Sequence, residues 1–269
     1  MRLIDRFKRP SADKNQPTVV AFAGGMGTQI IQAAVYFSLK KEGRPVYADL
    51  SYFATDARMA EVGNPGQLTH WFWQLDQFGL PQPSFEQKAG LNKHNADIIH
   101  DGARMVELGL KALAEPEIQQ KFQDISSDRS ALPDEVWPGF LCIHIRRGDY
   151  VNVASHLIQD AEFISLINKF SGLVKHAVIL SDSPIKQDFR DAVLPSFASV
   201  FFLDNIDPYS SHRVMRNARI LICSNSTFSL TAATLNPNAL VIIPKRWFAE
   251  KDHAIEAPIH ALCTFQIMK

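Results

Sequence analysis

Short apolar runs alternate with amphipathic segments along much of the chain, a pattern typical of repeated strand and helix units. The first unit begins at Thr18, where an apolar run ends in a glycine loop over residues 24–27. Apolar residues then recur at helical spacing, at Ile30, Ile31, Ala34, Val35 and Leu39. The sequence therefore predicts a strand, a glycine loop and a helix in succession.

From residue 140 onward the alternation is regular. The predicted strands cover residues 140–145, 177–180, 199–202, 219–223 and 240–243, the last of which we expect to be the final strand. The predicted helices cover residues 159–170, 184–192, 207–217 and 227–235. Repeated units of this kind imply a parallel sheet with helices on both faces, and ligands bind such sheets beyond the carboxyl ends of the strands.

The stretch between these two regions has a weaker pattern. Residues 68–80 are rich in aromatic side chains, which favours a buried core and leaves a platform for an acceptor sugar as the alternative. Residues 105–113 fit a helix, and residues 126–139 read as a linker with two prolines. We therefore expect a basic leader over residues 1–16, an N-terminal domain over 17–138 and a C-terminal domain over 139–269.

Charge and composition narrow the class of protein. The 269 residues are 46% hydrophobic and 21% charged, which is typical of a globular chain. Lysine and arginine total 28, as do aspartate and glutamate, so the formal net charge is zero. Nucleic acid therefore has no overall electrostatic attraction to this chain, and any phosphate site must be local.

Cysteine usage and hydropathy indicate a cytoplasmic protein. Cys142, Cys223 and Cys263 are far apart in sequence, which predicts buried free thiols in a reducing compartment. No apolar run approaches the roughly 18 to 20 residues that cross a bilayer, and no signal-peptide pattern is present. Residues 1–9 fit either a short basic helix at an anionic membrane surface or a solvated leader.

The predicted strand over residues 140–145 ends in Arg146 and Arg147, followed by Gly148 and Asp149. Guanidinium groups present fixed forks of donors that match phosphate oxygens, so the two arginines are the leading phosphate ligands. Because successive strand residues point to opposite faces, we expect one arginine to aim into the crevice and the other to brace the loop, against Asp149. A surface ion pair without a function is the alternative.

Two further segments have the geometry of anion sites. Glycines at 24, 25 and 27 let the backbone approach a ligand, and the helix that follows offers free N–H groups. Their spacing fits neither a nucleoside-triphosphate loop nor a dinucleotide fingerprint, and a plain tight turn is the alternative. Ser226 and Thr227 open a later helix, where N-capping and phosphate binding share one geometry.

Three motifs carry a family resemblance. His144, Arg146, Arg147 and Asp149 form a His-x-Arg-Arg-x-Asp pattern that resembles α-1,2- and α-1,6-fucosyltransferases and their protein O-fucosyltransferase relatives. Residues 24–29 resemble the Gly-Gly-x-Gly-Asn-Gln loop of the α-1,2 enzymes of glycosyltransferase family 11, with Thr28 replacing asparagine. Residues 225–229 are similar to the family's Asn-Ser-Ser-Phe-Ser block, although the tryptophan pair and glycine that normally follow are Leu-Thr-Ala here.

The resemblance implies an α/β, GT-B-like fold in which two Rossmann-like domains with parallel sheets face a cleft. The N-terminal domain would take a glycan acceptor and the C-terminal domain a GDP-sugar. The implied reaction transfers L-fucose from GDP-β-L-fucose to a galactoside hydroxyl with inversion, without metal or other cofactor, in glycan or surface-polysaccharide synthesis. A transferase for another GDP-sugar is one alternative, and a non-catalytic nucleotide-binding or scaffold protein is another.

Site roles also follow from the resemblance. Arg146 would stabilise charge on the β-phosphate, with Arg147 assisting or bracing. Asp149 and an acidic residue of the N-terminal half are candidate general bases. The expected donor-binding residues are Gly25, Gly27, Thr28, Gln29, His144, Asp182, Asn225, Ser226 and Thr227. Within this set Asp182 would bind guanine or the arginine pair, and His144 would contact guanine, orient the loop or act as a satisfied core group.

Overall fold

The computed structural model describes residues 15–54, 72–87, 89–100, 102–123, 130–137, 139–152, 157–204, 206–236, 238–244 and 265–268. The side chains of Asp149, Asn152 and residues 265–268 are not among those described. The predictions for residues 1–9, for residues 126–129 of the linker and for Cys263 therefore lie outside the described residues. Within them, no helix is long and apolar enough to span a bilayer.

The first sheet has three parallel strands in the order β2-β1-β3. They are β1 (Thr18–Ala21), β2 (Val46–Asp49) and β3 (Asp97–Ile99). The helices of this half are α1 (Met26–Lys41), α2 (Ala103–Leu113) and α3 (Pro116–Gln120). The glycine loop joins β1 to α1, as the sequence predicts.

The second sheet has six parallel strands in the order β6-β5-β4-β7-β8-β9. They are β4 (Phe140–Ile145), β5 (His176–Ser181), β6 (Ser199–Asp204), β7 (Ile220–Ile222), β8 (Leu240–Pro244) and β9 (Phe265–Met268). The helices are α4 (Asp160–Phe170), α5 (Gln187–Val193), α6 (Pro208–Arg216) and α7 (Thr227–Thr234). The predicted α/β class with parallel sheets is confirmed.

Strand register places the candidate site. All six residues of β4 are buried, and Ile145 at its end pairs with Ser181 at the end of β5. On the other side of β4, Ile143 pairs with Ile222 at the end of β7. The segments that follow these three strands therefore leave the sheet at one edge, which brings residues 146, 182 and 223–226 close together.

Two predicted elements differ from the structure. The helix expected over residues 184–192 begins only at Gln187, because the Ile185 N–H donates to Asp204 Oδ2 at 3.1 Å and keeps the preceding residues extended. The strand at residues 240–243 is not the last one, since β9 pairs with β8 in parallel. The sequence after residue 243 matches no specific pattern, so β9 was not predicted.

The two halves pack through α1 and α7. A single hydrophobic cluster includes Phe22 after β1 and Leu230 of α7. A Cβ atom on Gly27, in the first turn of α1, would lie 2.4 Å from the Phe228 backbone nitrogen, so the helices touch backbone to backbone there. The division at residues 138/139 stays a prediction.

Two of the three cysteines are described, and both match the prediction of buried free thiols. Cys142 lies within β4 and Cys223 directly follows β7, and both are buried and free. Burial raises the pKa of the Cys223 thiol to about 12 and raises that of Cys142 as well. These thiols therefore act as apolar core groups at neutral pH.

Candidate functional site

Arg146 leaves the end of β4 and is held from two sides. Its Nη1 atom lies 2.8 Å from Asp182 Oδ2, which follows the neighbouring strand β5. Its guanidinium carbon lies 5.5 Å from the centre of the Tyr150 ring. The Arg146 side chain is 16% exposed and that of Asp182 is 23% exposed, so the pair is partly shielded from water yet open on one side. The geometry presents a fixed cation at the edge of the sheet.

Asp182 also fixes the backbone of the arginine loop. Its Oδ1 atom accepts hydrogen bonds from the N–H groups of Arg147 at 2.8 Å and Gly148 at 3.1 Å. Residue 148 must be glycine for this approach, because a Cβ atom there would lie 2.8 Å from Asp182 Oδ2. Of the two roles predicted for Asp182, this geometry favours the contact with the arginines over the contact with guanine.

Arg147 turns away from Arg146 and braces the loop. Its guanidinium forms an ion pair with Asp160 at the start of α4. It also donates to the Ile158 carbonyl at 2.9 Å and lies over the Phe163 ring. Sequence reasoning expected the two arginines to diverge but named Asp149 as the brace. Asp160 was missed, because its position 13 residues downstream gives no local signal.

The two predicted anion-binding loops meet at the N-termini of α1 and α7. Thr28 Oγ1 and Thr227 Oγ1 lie 3.1 Å apart, although the residues are 199 positions apart in sequence. Gly24 has a positive φ of 73°, and Gly25 precedes the first residue of α1 without a side-chain cap. Ser226 caps α7 by accepting from the Phe228 N–H at 3.3 Å. Two positive helix ends therefore face the same region.

Gln29 holds the glycine loop in place. Its amide nitrogen donates to the Gly24 carbonyl at 2.8 Å and to the Phe72 carbonyl at 3.1 Å. Its amide oxygen accepts from the Gln74 N–H at 2.9 Å. Because the buried side chain donates both amide protons to backbone carbonyls, Gln29 has no amide proton left for the sugar donor.

Tyr150 joins the arginine loop to the start of α7. Its hydroxyl donates to the Asn225 carbonyl at 3.1 Å, while its ring lies beside Arg146. The Asn225 side chain is 3% exposed, and its Oδ1 atom has no hydrogen-bond partner among the described residues. Sequence reasoning missed the role of Tyr150, although it directly follows the arginine motif.

His144 is a neutral core group in this structure. It is 5% exposed, and its Nδ1 atom lies 3.2 Å from the Ser224 hydroxyl. Burial lowers its pKa to about 4, with Arg146 acting in the same direction and Asp182 opposing the shift. Of the roles predicted for His144, that of a satisfied core group fits this environment.

His212, like His144, packs against the Phe228 ring. The centre of the Phe228 ring is 5.4 Å from each imidazole. His212 Nε2 lies 3.2 Å from the hydroxyl of Thr231, one of the residues that replace the family's tryptophan pair and glycine. Burial lowers the pKa of His212 as well. Thr231, at one of the replaced positions, therefore contributes to the packing around His212.

The acidic and histidine side chains described above do not assemble into a metal site. Within the part of the chain that the structure describes, no group of three or more His, Cys, Asp or Glu side chains is placed to hold a metal ion. The acidic side chains at the edge of the sheet bind arginines instead.

Comparison with protein families gives one match, over residues 114–260, to the family described as Glycosyl transferase family 11. This span is more than half of the chain. Among curated proteins, none matches.

Several solved structures are similar at low sequence identity. The α-1,6-fucosyltransferase NodZ of Bradyrhizobium, soaked with GDP-fucose, is 14% identical, with 83% of this chain and 93% of that chain covered and a TM-score of 0.42. POFUT1 in complex with GDP-fucose is 13% identical, with 86% and 96% covered and a TM-score of 0.47. The E. coli heptosyltransferase WaaC, with ADP-2-deoxy-2-fluoro heptose, is 12% identical, with 88% and 91% covered and a TM-score of 0.46. Likenesses this distant do not decide an activity.

Proposed function

The chain belongs to glycosyl transferase family 11, and from this premise we propose that it transfers L-fucose from GDP-β-L-fucose to a galactoside hydroxyl. Family membership makes the chain a glycosyltransferase. The fucosyl donor, the α-1,2 linkage, the galactoside acceptor and inversion at the fucosyl carbon are the proposal. The resemblance of three separate motifs to the α-1,2 enzymes supports it.

The observation that carries the proposal is the fixed position of Arg146 beside two helix N-termini. Asp182 and Tyr150 hold the guanidinium, and the Tyr150 hydroxyl ties it to Asn225, one residue before the cap of α7. The contact between Thr28 and Thr227 adds the start of α1. A pyrophosphate at this edge of the sheet would meet a cation and two sets of backbone N–H groups.

Charge development explains what such a site does for the reaction. As the bond between the fucosyl C1 and the phosphate oxygen breaks, negative charge grows on the β-phosphate. A guanidinium that is already in position stabilises this charge without reorganising. We assign this role to Arg146 and the bracing of the loop to Arg147, and we propose that the reaction needs no metal ion.

Inversion also needs a base on the acceptor side. The acceptor hydroxyl attacks C1 from the face opposite the phosphate, and its proton passes to a general base. Asp149 and an acidic residue of the N-terminal half stay the candidates. The Asp149 side chain is outside the described residues, so its substitution by asparagine is the direct way to examine it.

Substitution of Arg146 tests the proposal. We expect Arg146→Ala to lower kcat by at least about 100-fold, because the β-phosphate loses its charge-stabilising donor. The measurements are fucosyl transfer to lactose and calorimetric binding of GDP, GDP-fucose, GDP-mannose and UDP, all with EDTA present.

A matched control is available in α5, which packs in the same half of the chain. Arg190 pairs with Asp204 at 2.8 Å and lies over the Phe202 ring, so it has the same kinds of contact as Arg146. Arg190→Ala should leave the kinetics unchanged. Near-normal transfer by Arg146→Ala would refute the assignment of Arg146. If the wild type turned over GDP-mannose alone, the donor would be another GDP-sugar. If the wild type bound these nucleotides without turnover, a non-catalytic protein would be favoured.

A further inference from the structure

Among the described aromatic residues of the segment over residues 68–80, Phe72 differs from Trp73 and Phe78 in being exposed. Trp73 and Phe78 are buried, and the Trp73 ring packs against Phe22, Phe53 and Phe85. Its indole N–H donates to the Leu80 carbonyl at 2.8 Å. Phe72, by contrast, is 50% exposed. The described part of the aromatic segment thus contributes Trp73 and Phe78 to the core and leaves the Phe72 ring exposed.

The backbone beneath this ring is fixed. Gln29 is fully buried and binds the segment at two points, the Phe72 carbonyl and the Gln74 N–H. An exposed side chain on an anchored backbone loses less conformational freedom when a ligand binds than one on a free loop. Phe72 is therefore a preorganised surface rather than a loosely attached ring.

The same glutamine connects Phe72 to the glycine loop. The amide nitrogen of Gln29 donates to both the Phe72 carbonyl and the Gly24 carbonyl. Phe72 consequently lies beside the loop that opens α1, on the first sheet's side of the site. Arg146, which we assign to the donor, and its partner Asp182 follow strands of the second sheet. Phe72 is therefore an exposed ring next to the glycine loop, in the half of the chain that does not carry Arg146, where a second substrate can reach it.

We propose that Phe72 is the stacking platform for a pyranose ring of the acceptor. The inference rests on the proposed function and adds a residue that recognises the acceptor. One face of a galactopyranose carries C–H groups with partial positive charge, and these are attracted to the negative face of an aromatic ring. The ring binds the acceptor sugar and holds its hydroxyl near the fucosyl carbon, and it takes no part in binding GDP.

Three substitutions separate stacking from general apolar contact. Phe72→Ala and Phe72→Leu should each raise the KM for lactose, by about tenfold for alanine, whereas Phe72→Tyr keeps the ring and should restore a KM near that of the wild type. The Kd for GDP should stay unchanged in all three. Leu173→Ala is the control, since Leu173 is 56% exposed but lies in the second half of the chain before β5.

The outcomes distinguish this inference from the function on which it rests. If the wild type transfers fucose and Phe72→Ala keeps the same KM for lactose, the platform is wrong and the function stands. If Phe72→Ala weakens GDP binding, the ring contacts the nucleotide and the platform is likewise wrong. If the wild type transfers no fucose, the proposed function fails. In that case, saturation-transfer NMR of lactose with the GDP complex of the protein tests the platform separately. The platform is supported if lactose gives a signal that Phe72→Ala removes, and it is wrong if the signal is missing or unchanged.

Discussion

At the scale of single residues, the partners of the two arginines determine what each can do. Arg146 contacts the Asp182 carboxylate and the Tyr150 ring, and its side chain is still 16% exposed. Arg147 is enclosed by Asp160, a carbonyl and a ring. Exchange of either arginine for lysine would keep the charge and lose the planar fork that makes these contacts possible.

Tyr150 offers a graded test of how well Arg146 must be held. Tyr150→Phe removes the hydrogen bond to the Asn225 carbonyl, worth about 1 kcal/mol, and we expect kcat to fall about fivefold. Tyr150→Leu also removes the ring beside the guanidinium and should lower kcat further. Steady-state kinetics give the ranking.

The value of kcat and the unfolding midpoint in urea together separate positioning from folding in these variants. If Tyr150 positions Arg146, kcat falls from the wild type to Tyr150→Phe and falls further in Tyr150→Leu. The unfolding midpoint in urea then changes little. If Tyr150→Leu retained the wild-type kcat, Tyr150 would have no role in positioning Arg146.

At the scale of elements, the first turn of α1 meets the first turn of α7 without side chains between them. Gly27 allows this contact, and the hydroxyls of Thr28 and Thr227 meet beside it. The threonine that replaces the family's asparagine therefore bridges the two helices. Its hydroxyl remains close enough to the helix ends to take part in the proposed phosphate site.

Gly27→Ala should push these helices apart. The added Cβ would meet the Phe228 backbone at 2.4 Å, and backbone cannot rotate away as a side chain does. We expect a loss of about 1 to 3 kcal/mol in the free energy of unfolding and a raised Kd for GDP. Urea unfolding and calorimetry measure the two effects.

Gly172→Ala is the control, because nothing lies within 4 Å of the corresponding Cβ. Equal behaviour of the two variants would contradict the close contact.

Local patterns predicted most of the second sheet but not how its loops pair. The run over residues 140–145 and the helices after it have strong periodicity, and their bounds are close to those observed. The bond between Thr28 and Thr227 and the brace from Arg147 to Asp160 depend on tertiary packing between distant segments, which a single sequence does not encode locally. Phe72 is an aromatic residue like its buried neighbours Trp73 and Phe78, so the sequence does not distinguish it from them. Only the structure shows that it is exposed.

At the scale of the whole molecule, two buried histidines couple stability to pH. His144 and His212 flank Phe228, where β4, α6 and α7 come together. Their pKa values are lowered mainly by burial, so the folded protein favours the neutral imidazoles. Arg216 adds to the effect at His212.

Acid should therefore destabilise the fold through these groups. The pKa of His144 is near its ordinary value of 6.5 in the unfolded chain and falls to about 4 in the folded chain. The contribution of neutral, buried His144 to the free energy of unfolding is fully present above pH 6.5 and is lost as the pH falls towards 4. This contribution is about 3 kcal/mol. Urea unfolding at a series of pH values measures this. His144→Asn should flatten the dependence, and an unchanged dependence would show that His144 does not cause it.

The shared core has a consequence for engineering. If one half were exchanged with that of a relative, the sequence would suggest a cut at residue 138. Here one hydrophobic cluster runs from Phe22 through to Leu230, and Gly27 fits directly against the backbone of Phe228. A chimera joined at that point would bring together two surfaces that were shaped for other partners. A successful exchange must carry α1 and α7 together from the same parent.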